Sequence, residues 1–306
     1  MQAIDIKAYA KVNLSLDVIC KREDGYHDIE SVMQGIGMHD NILVMCGDAG
    51  CDFASATCEL DGKRIHLYMN AEGLEPDESN LAVKGVKAMA KYVDMPEDLS
   101  IIIDKKLPIA AGIAGGSGNA AASMLALNAM LGNPLSLRHL MRIGIMVGAD
   151  VPFSIMMNAK KNEAILAGLA GLEEASVAAN IGGIGEVVEP IEPINRYVIM
   201  ANPGVAVSTR EVYEAIDSLP EDKRAKLGLW GNVMEAYTLA QYPEAARLKA
   251  AMEEQLSADK VLMSGSGPTI VAYYTDKDKW LADCKAVKWV EEGWGVWPSE
   301  TGTMED

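Results

Sequence analysis

Residues 107–131 read LPIAAGIAGGSGNAAASMLALNAML, and the rest of the chain is understood outward from them. Pro108 marks a turn, and four glycines follow within seven residues: Gly112, Gly115, Gly116 and Gly118. An Ala-rich run with good helix propensity comes next. Glycine at this density lets a backbone take positive φ and approach a ligand closely. Where such a loop feeds a helix, the unpaired N–H groups and the helix dipole favour an anion, usually phosphate. Asn119 is the expected N-cap of that helix. No charged residue occurs from Leu107 to Leu137, so a membrane span has to be weighed. The clustered Gly, Ser, Asn and Pro count against one, because small residues supply little of the apolar surface a span needs. Gly116-Ser-Gly118-Asn-Ala-Ala121 also fits the dinucleotide pattern G-x-G-x-x-A, but Lys105-Lys106-Leu107-Pro108 stands where a strand should lead in. About twenty residues on, where an acidic ribose partner belongs, the chain reads Met141-Arg142-Ile143. On this stretch alone, a plain loop ahead of a buried helix stays open.

Composition narrows the class. A chain of 306 residues is long enough for two domains with separate cores. Hydrophobic residues make up 49% and charged residues 23%, which is ordinary globular composition. The formal charge of −17 argues against a general binder of nucleic acid or of anionic membrane, since both attract basic surfaces. Five cysteines include no C-x-x-C pair, and three of them within thirteen residues fit no zinc spacing, so reduced thiols in a cytoplasmic protein are expected. The opening MQAIDIKAYAKVNLSLDV alternates like a strand and lacks the apolar core of a signal peptide.

Along the chain, residues 4–19 read as a strand with a bend near Ala8-Tyr9-Ala10. Lys11 and Asn13 share parity with Tyr9, opposite Val12 and Leu14, and so face one way together. A polar turn spans residues 21–27 with Asp24-Gly25 at its tip. Strands are expected over 29–44 and within 51–69, a loop from Glu75-Pro76-Asp77, a helix over 80–92 and a short strand over 99–104. A helix over 138–147 closes at Gly148. Asp150 follows in an otherwise apolar setting, where a carboxylate needs partners; a helix cap and a functional acid both fit. A strand from Tyr197 opens the second half, followed by a helix holding Tyr213, helices near 231–240 and 244–256, and strands at 261–263 and 269–274. The tail, with Trp289, Trp294 and Trp297, reads as a closing helix and strand.

Four separated blocks, in this order, carry a family resemblance: Ala8-Tyr-Ala-Lys11-Val-Asn13-Leu-Ser-Leu16, the run from Pro108 through Gly116-Ser117, Gly148-Ala-Asp150-Val-Pro152-Phe153, and Ser264-Gly-Ser-Gly-Pro268. Together they resemble the GHMP small-molecule kinases across nearly the whole chain. Asp24-Gly25-Tyr26-His27 narrows the resemblance to the branch that phosphorylates 4-diphosphocytidyl-2-C-methyl-D-erythritol in the non-mevalonate route to isoprenoids. The resemblance implies an α+β, two-domain GHMP kinase fold. Its N-terminal domain, residues 1–192, would be ribosomal-protein-S5-domain-2-like, and its C-terminal domain, 193–306, a ferredoxin-like α/β sandwich.

The same resemblance implies phosphoryl transfer from ATP, with Mg²⁺, to the 2-hydroxyl of that substrate. Asp150 is implied as catalytic base, with Lys11 beside it and beside the acceptor hydroxyl. Nucleotide is expected at Lys105, Lys106, Pro108, Ala111, Gly112, Ile113, Ala114, Gly115, Gly116, Ser117, Gly118 and Asn119. Substrate is expected at Asn13, Tyr26, His27, Thr209 and Tyr213. The Tyr26 ring would stack on cytosine, His27 would read its edge, Tyr213 would cover its other face, and Thr209 would lie near sugar or phosphate. The partner implied is the cytidine diphosphate-linked small molecule, with no nucleic acid and no membrane, for a cytoplasmic monomer or homodimer; no protein side chain is assigned as a metal ligand. A homoserine- or mevalonate-type kinase, or a nucleotide-binding copy without turnover, is the alternative. The chain departs from the family in three places: Ala114 replaces a usual Gly, Gly118 replaces a usual Ser, and residues 158–183 exceed the usual short hairpin. That longer segment, Ala-rich in its middle, is expected to add about one helix or a mobile flap.

Overall fold

A computed structural model describes residues 3–71, 76–109, 111–219, 226–287 and 294–301. Glu75 and Trp289, which figure in the sequence reading, lie outside the described residues. The chain forms two compact units, each assembled from several stretches. One comprises Met1–Ala10, Met38–Ile109 and Ala114–Val177; the other comprises Lys11–Gly37, Ala110–Ile113 and Ala178–Asp306. Strand β1 (Ala3–Lys21) and strand β2 (His27–Cys46) each contribute to both units.

In the first unit, β3 (Ala54–Leu60) and β4 (Lys63–Met69) form a hairpin, with Leu60 opposite Lys63. Its two-residue turn, Asp61-Gly62, has φ of 51° and 78°, as a type I′ turn requires. β4 pairs in parallel with β5 (Asp98–Asp104), joined through helix α1 (Leu81–Met89), and β5 pairs antiparallel with the second part of β2. Asn80 caps α1, its side chain accepting from the Ala82 amide at 2.9 Å.

Helix α2 (Gly115–Met130) is the buried spine of this unit. Residues 118–128 are buried on every side, so the helix shows no polar face. Small residues allow that close packing. A Cβ on Gly118 would lie 2.8 Å from the carbonyl oxygen of Tyr9, and one on Gly85 of α1 would lie 3.0 Å from Met124. None of the helices among the described residues is long and apolar enough to cross a membrane.

Helices α3 (Leu137–Gly144) and α4 (Val151–Lys161) complete the unit. Asn158 on α4 and Asn162 at its C-cap, four residues apart, stand in for a neighbouring strand along β1. Asn158 Oδ1 accepts from the Tyr9 amide at 2.7 Å, and Asn162 accepts from Lys7 N at 3.2 Å while donating to Lys7 O at 3.0 Å. The segment after α4 corrects the expectation of an added helix or flap. It makes turns and one short 3₁₀ helix, Leu172–Glu174, and it buries Leu166, Leu169 and Leu172 in the core. Part of the supposed insertion is the end of α4 itself. Leu137 N donates to Ala170 O at 2.9 Å, pinning the turns to the start of α3.

In the second unit, β1 and β2 are joined by the turn around Gly25, where Arg22 N donates to Tyr26 O at 2.8 Å. β2 pairs antiparallel with β6 (Ala178–Gly182), and β6 with β7 (Val187–Pro190). The remaining chain runs β8 (Tyr197–Asn202), α5 (Thr209–Ile216), α6 (Glu235–Gln241), α7 (Pro243–Gln255), β9 (Lys260–Met263), β10 (Ile270–Tyr274), α8 (Lys277–Ala286) and β11 (Gly295–Glu300). These strands lie in the order β11-β8-β10-β9, all antiparallel. First strand between fourth and third, second at the edge, with helices in both crossovers: this is the split β-α-β of a ferredoxin-like sandwich.

Candidate active site

The helix expected to receive an anion begins earlier than predicted. Its N-cap is Ala114, not Asn119, which sits in the second turn and is buried. Ala114 is left-handed, at φ 57° and ψ 33°, no side chain caps the helix, and no acidic residue occupies the first turn. Gly115, Gly116 and Gly118 keep three of the first four positions free of side chains. An uncapped, glycine-lined N-terminus on a 16-residue helix leaves its first N–H groups to an outside acceptor, which suits a polyphosphate. The geometry at Gly118 accounts for the absent serine: the neighbouring strand's carbonyl occupies the space a side chain would need.

Asn119 and Lys105 meet at a residue the sequence reading missed. Asp40 is fully buried, and its carboxylate accepts from Lys105 Nζ at 2.5 Å, Asn119 Nδ2 at 2.7 Å, Lys106 N at 2.7 Å and Leu107 N at 2.8 Å. This acid thus fixes the chain entering the glycine stretch to the second turn of α2. Lys105 is tied inward by it, whereas the exposed Lys106 pairs with Asp104 at 3.0 Å. Leu107 is buried and Pro108 half-buried.

In the second unit, residues 111–113 lie against the Ser264–Pro268 loop. Thr269 Oγ1 donates to Ala111 O, and a Cβ on Gly112, at φ 68°, would lie 3.0 Å from Gly267 O and 3.2 Å from Ser264 O. Only glycine fits there. Ile113 O accepts from Lys11 N at 3.1 Å. Lys11 and Asn13 do share a face. Both are buried, and Lys11 Nζ donates to Asn13 Oδ1 at 2.7 Å. Asn13 is held in turn: Nδ2 donates to Ser31 Oγ at 2.9 Å, and its backbone N donates to Ser264 Oγ at 3.2 Å. A buried ammonium oriented by a fixed carboxamide is an electrostatic device, since burial strengthens its field.

Asp150 occupies the N-cap position of α4 and is half-buried. Its side chain makes no capping bond to that helix, so simple helix capping does not explain an acid at this position.

The residues expected to hold a base divide. Tyr26 is 61% exposed, while His27 is buried. The His27 ring stacks on Tyr213, with centroids 4.9 Å apart and planes at 23°. His27 Nε2 lies 2.7 Å from Asp217 Oδ1, and Lys21 Nζ donates to Asp217 Oδ2 at 2.7 Å. Burial pushes the Asp217 carboxyl up, but the bonds from Lys21 and His27 outweigh it and hold the group below the usual carboxylate range. Asp217 was also missed, although it lies four residues from Tyr213, one helical turn away on the same side of α5. Thr209, the first residue of α5, shares a 2.9 Å hydroxyl contact with Ser266 of the second glycine loop.

The family model for the GHMP kinases N terminal domain matches residues 80–158, and the model for GHMP kinases C terminal matches residues 223–279. The chain is 30% identical to the 4-diphosphocytidyl-2-C-methyl-D-erythritol kinase of Lachnospira eligens, over 99% of this chain and 100% of that one. It is 34% identical to the protein of the same name from Alkaliphilus oremlandii, over 91% and 90%. Among solved structures, a 4-(cytidine 5′-diphospho)-2C-methyl-D-erythritol kinase aligns with a TM-score of 0.72 and 25% identity, covering 98% of this chain and 100% of the other.

Proposed function

This chain belongs to the 4-diphosphocytidyl-2-C-methyl-D-erythritol kinase family of the GHMP kinases, and on that premise we propose that it phosphorylates the 2-hydroxyl of that substrate from ATP. The observation that carries the reading is the open, glycine-lined N-terminus of α2. When bound, ATP supplies the phosphoryl group and Mg²⁺ screens its charge.

The chain's own residues then position and polarise. Backbone N–H groups from Gly115 to Ser117, with the Ser117 hydroxyl, hold the phosphates, while the Gly118 N–H is spent on Ala114 O, and Lys105, Lys106 and Asn119 shape the approach. Asp150 takes the proton from the 2-hydroxyl. Lys11, oriented by Asn13, steadies the negative charge developing on that oxygen. A tertiary alcohol is a weak acid and a hindered nucleophile, so both groups are needed. Tyr26, His27 and Tyr213 offer flat faces and a polar edge to a pyrimidine, which a small alcohol such as homoserine would not use. The family's division into an N-terminal domain, residues 1–192, and a C-terminal domain, 193–306, belongs to the same proposal.

The test is ADP release from Mg-ATP with the cytidyl substrate, mevalonate and homoserine in parallel. Release with mevalonate or homoserine alone would overturn the substrate assignment, and release with none would overturn the kinase. Asp150→Asn is expected to keep nucleotide affinity and lose about 10²- to 10⁴-fold in turnover. Full turnover by that variant would remove Asp150 from the mechanism.

A further inference from the structure

We propose that Asp217 is a positioning residue: it fixes which nitrogen of His27 carries the proton and so makes the site select a cytosine edge over a uracil edge. The inference rests on the base-binding reading above, but it concerns a contact that reading does not use.

Asp217 closes α5 and spends both carboxylate oxygens on neighbours, Oδ1 toward His27 Nε2 and Oδ2 toward Lys21 Nζ, each at 2.7 Å. An ionised carboxylate has no proton to give, so the hydrogen of that bond sits on Nε2. In a neutral imidazole, Nδ1 is then a hydrogen-bond acceptor. The ring is held flat against Tyr213 and its side chain is only 6% exposed, so it cannot easily exchange the two nitrogens by turning over. An acceptor nitrogen attracts the exocyclic amine of cytosine and opposes the carbonyl oxygen that uracil carries at the same position. Leaving such a group facing the wrong partner is expected to weaken binding roughly ten- to hundredfold.

Lys21 fixes how a carboxamide would sit at position 217. An ammonium can only donate. In Asp217→Asn, Lys21 claims the single carboxamide oxygen, and the NH₂ group faces the imidazole. Nε2 must then accept, the proton moves to Nδ1, and the readable nitrogen changes from acceptor to donor.

The experiment measures equilibrium binding of cytidine 5′-diphosphate and uridine 5′-diphosphate to the full chain by calorimetry. Nitrogen NMR of the ¹⁵N-labelled histidine rings accompanies it. The native protein is expected to prefer the cytidine nucleotide by about ten- to hundredfold, with the His27 proton on Nε2. Asp217→Asn is expected to abolish or reverse that preference and to move the proton to Nδ1. In the double variant Asp217→Asn/Lys21→Met the carboxamide is free to turn its oxygen to the ring, and the preference is expected to return. Unchanged discrimination in a folded Asp217→Asn, or a native His27 protonated on Nδ1, overturns the proposal. Because these readouts need no phosphoryl transfer, a protein inactive in the kinase assay but discriminating here would sink the proposed reaction and leave this inference standing.

Discussion

Substituting Asp40 by Asn isolates one charge at the root of the glycine stretch. The oxygen that takes the Lys106 and Leu107 amides can be reproduced by a carboxamide, so backbone satisfaction is kept. The other oxygen becomes an NH₂ group facing the Lys105 ammonium and the Asn119 side chain. Asn119 can turn its own oxygen toward it only by giving up the bond that oxygen accepts from Lys105 Nζ at 3.3 Å, which leaves Lys105, only 11% exposed, without either acceptor. Removing one partner of a buried pair costs about 3–5 kcal/mol, because the other charge stays behind without water. At an unfolding slope of roughly 3 kcal/mol per molar urea, the midpoint should fall by about 1–1.7 M. Lys105→Met in the same background removes the stranded charge and should recover more than half of that loss. Urea titrations of the native protein, both single variants and the pair would close the cycle. A shift below about 0.3 M for Asp40→Asn, or no recovery in the double variant, would refute the view that the buried charge is what holds this region.

Further outcomes follow from the same loop and from the base site. Gly118→Ser, which restores the hydroxyl usual in the family, should destabilise the protein by about 1–3 kcal/mol, because its Cβ starts 2.8 Å from Tyr9 O. A more stable variant in urea titration would show that β1 gives way easily. Ala114→Gly should stabilise by roughly 1 kcal/mol, since an L side chain at φ 57° is strained; a lower unfolding midpoint would contradict this. Asp217 has its folded pKa lowered, so its stabilisation is complete above the unfolded value near 3.9 and is lost as pH falls through the folded value. The stability gap between native protein and Asp217→Asn should therefore narrow below about pH 4. A gap unchanged at pH 3 would count against that coupling.

How much of this was legible beforehand depended on the range of the interaction. The glycine-to-alanine run announced α2, and the alternation around Lys11 and Asn13 placed them on one face, because both patterns are local. Asn119 was misread by the same local logic. Cap preferences describe helices that close their own ends, whereas this one is entered five residues earlier, at Ala114, and carries no side-chain cap at all. Asp40 could not be found by pattern: its four partners lie 65 to 79 residues away and share no periodicity with it. In residues 158–183 the alanines suggested a helix, but Gly171, at φ 86°, breaks any helical run, and the leucines are fixed by tertiary burial. The family blocks were legible because they are dense and ordered. Their long-range supports were not.

The two carboxamides, Asn158 on α4 and Asn162 at its C-cap, set the register of that helix against β1. Four helical residues advance about 6.0 Å and two strand residues about 6.8 Å, so side chains one turn apart can engage alternate peptides of a strand with little strain. Intermediate settings would leave Lys7 and Tyr9 unmatched, so α4 can seat only at discrete stops along β1. Asp150 sits at the head of that helix, and slipping by one stop would carry the carboxylate proposed as base about 6 Å, beyond the reach of the proton it is proposed to take.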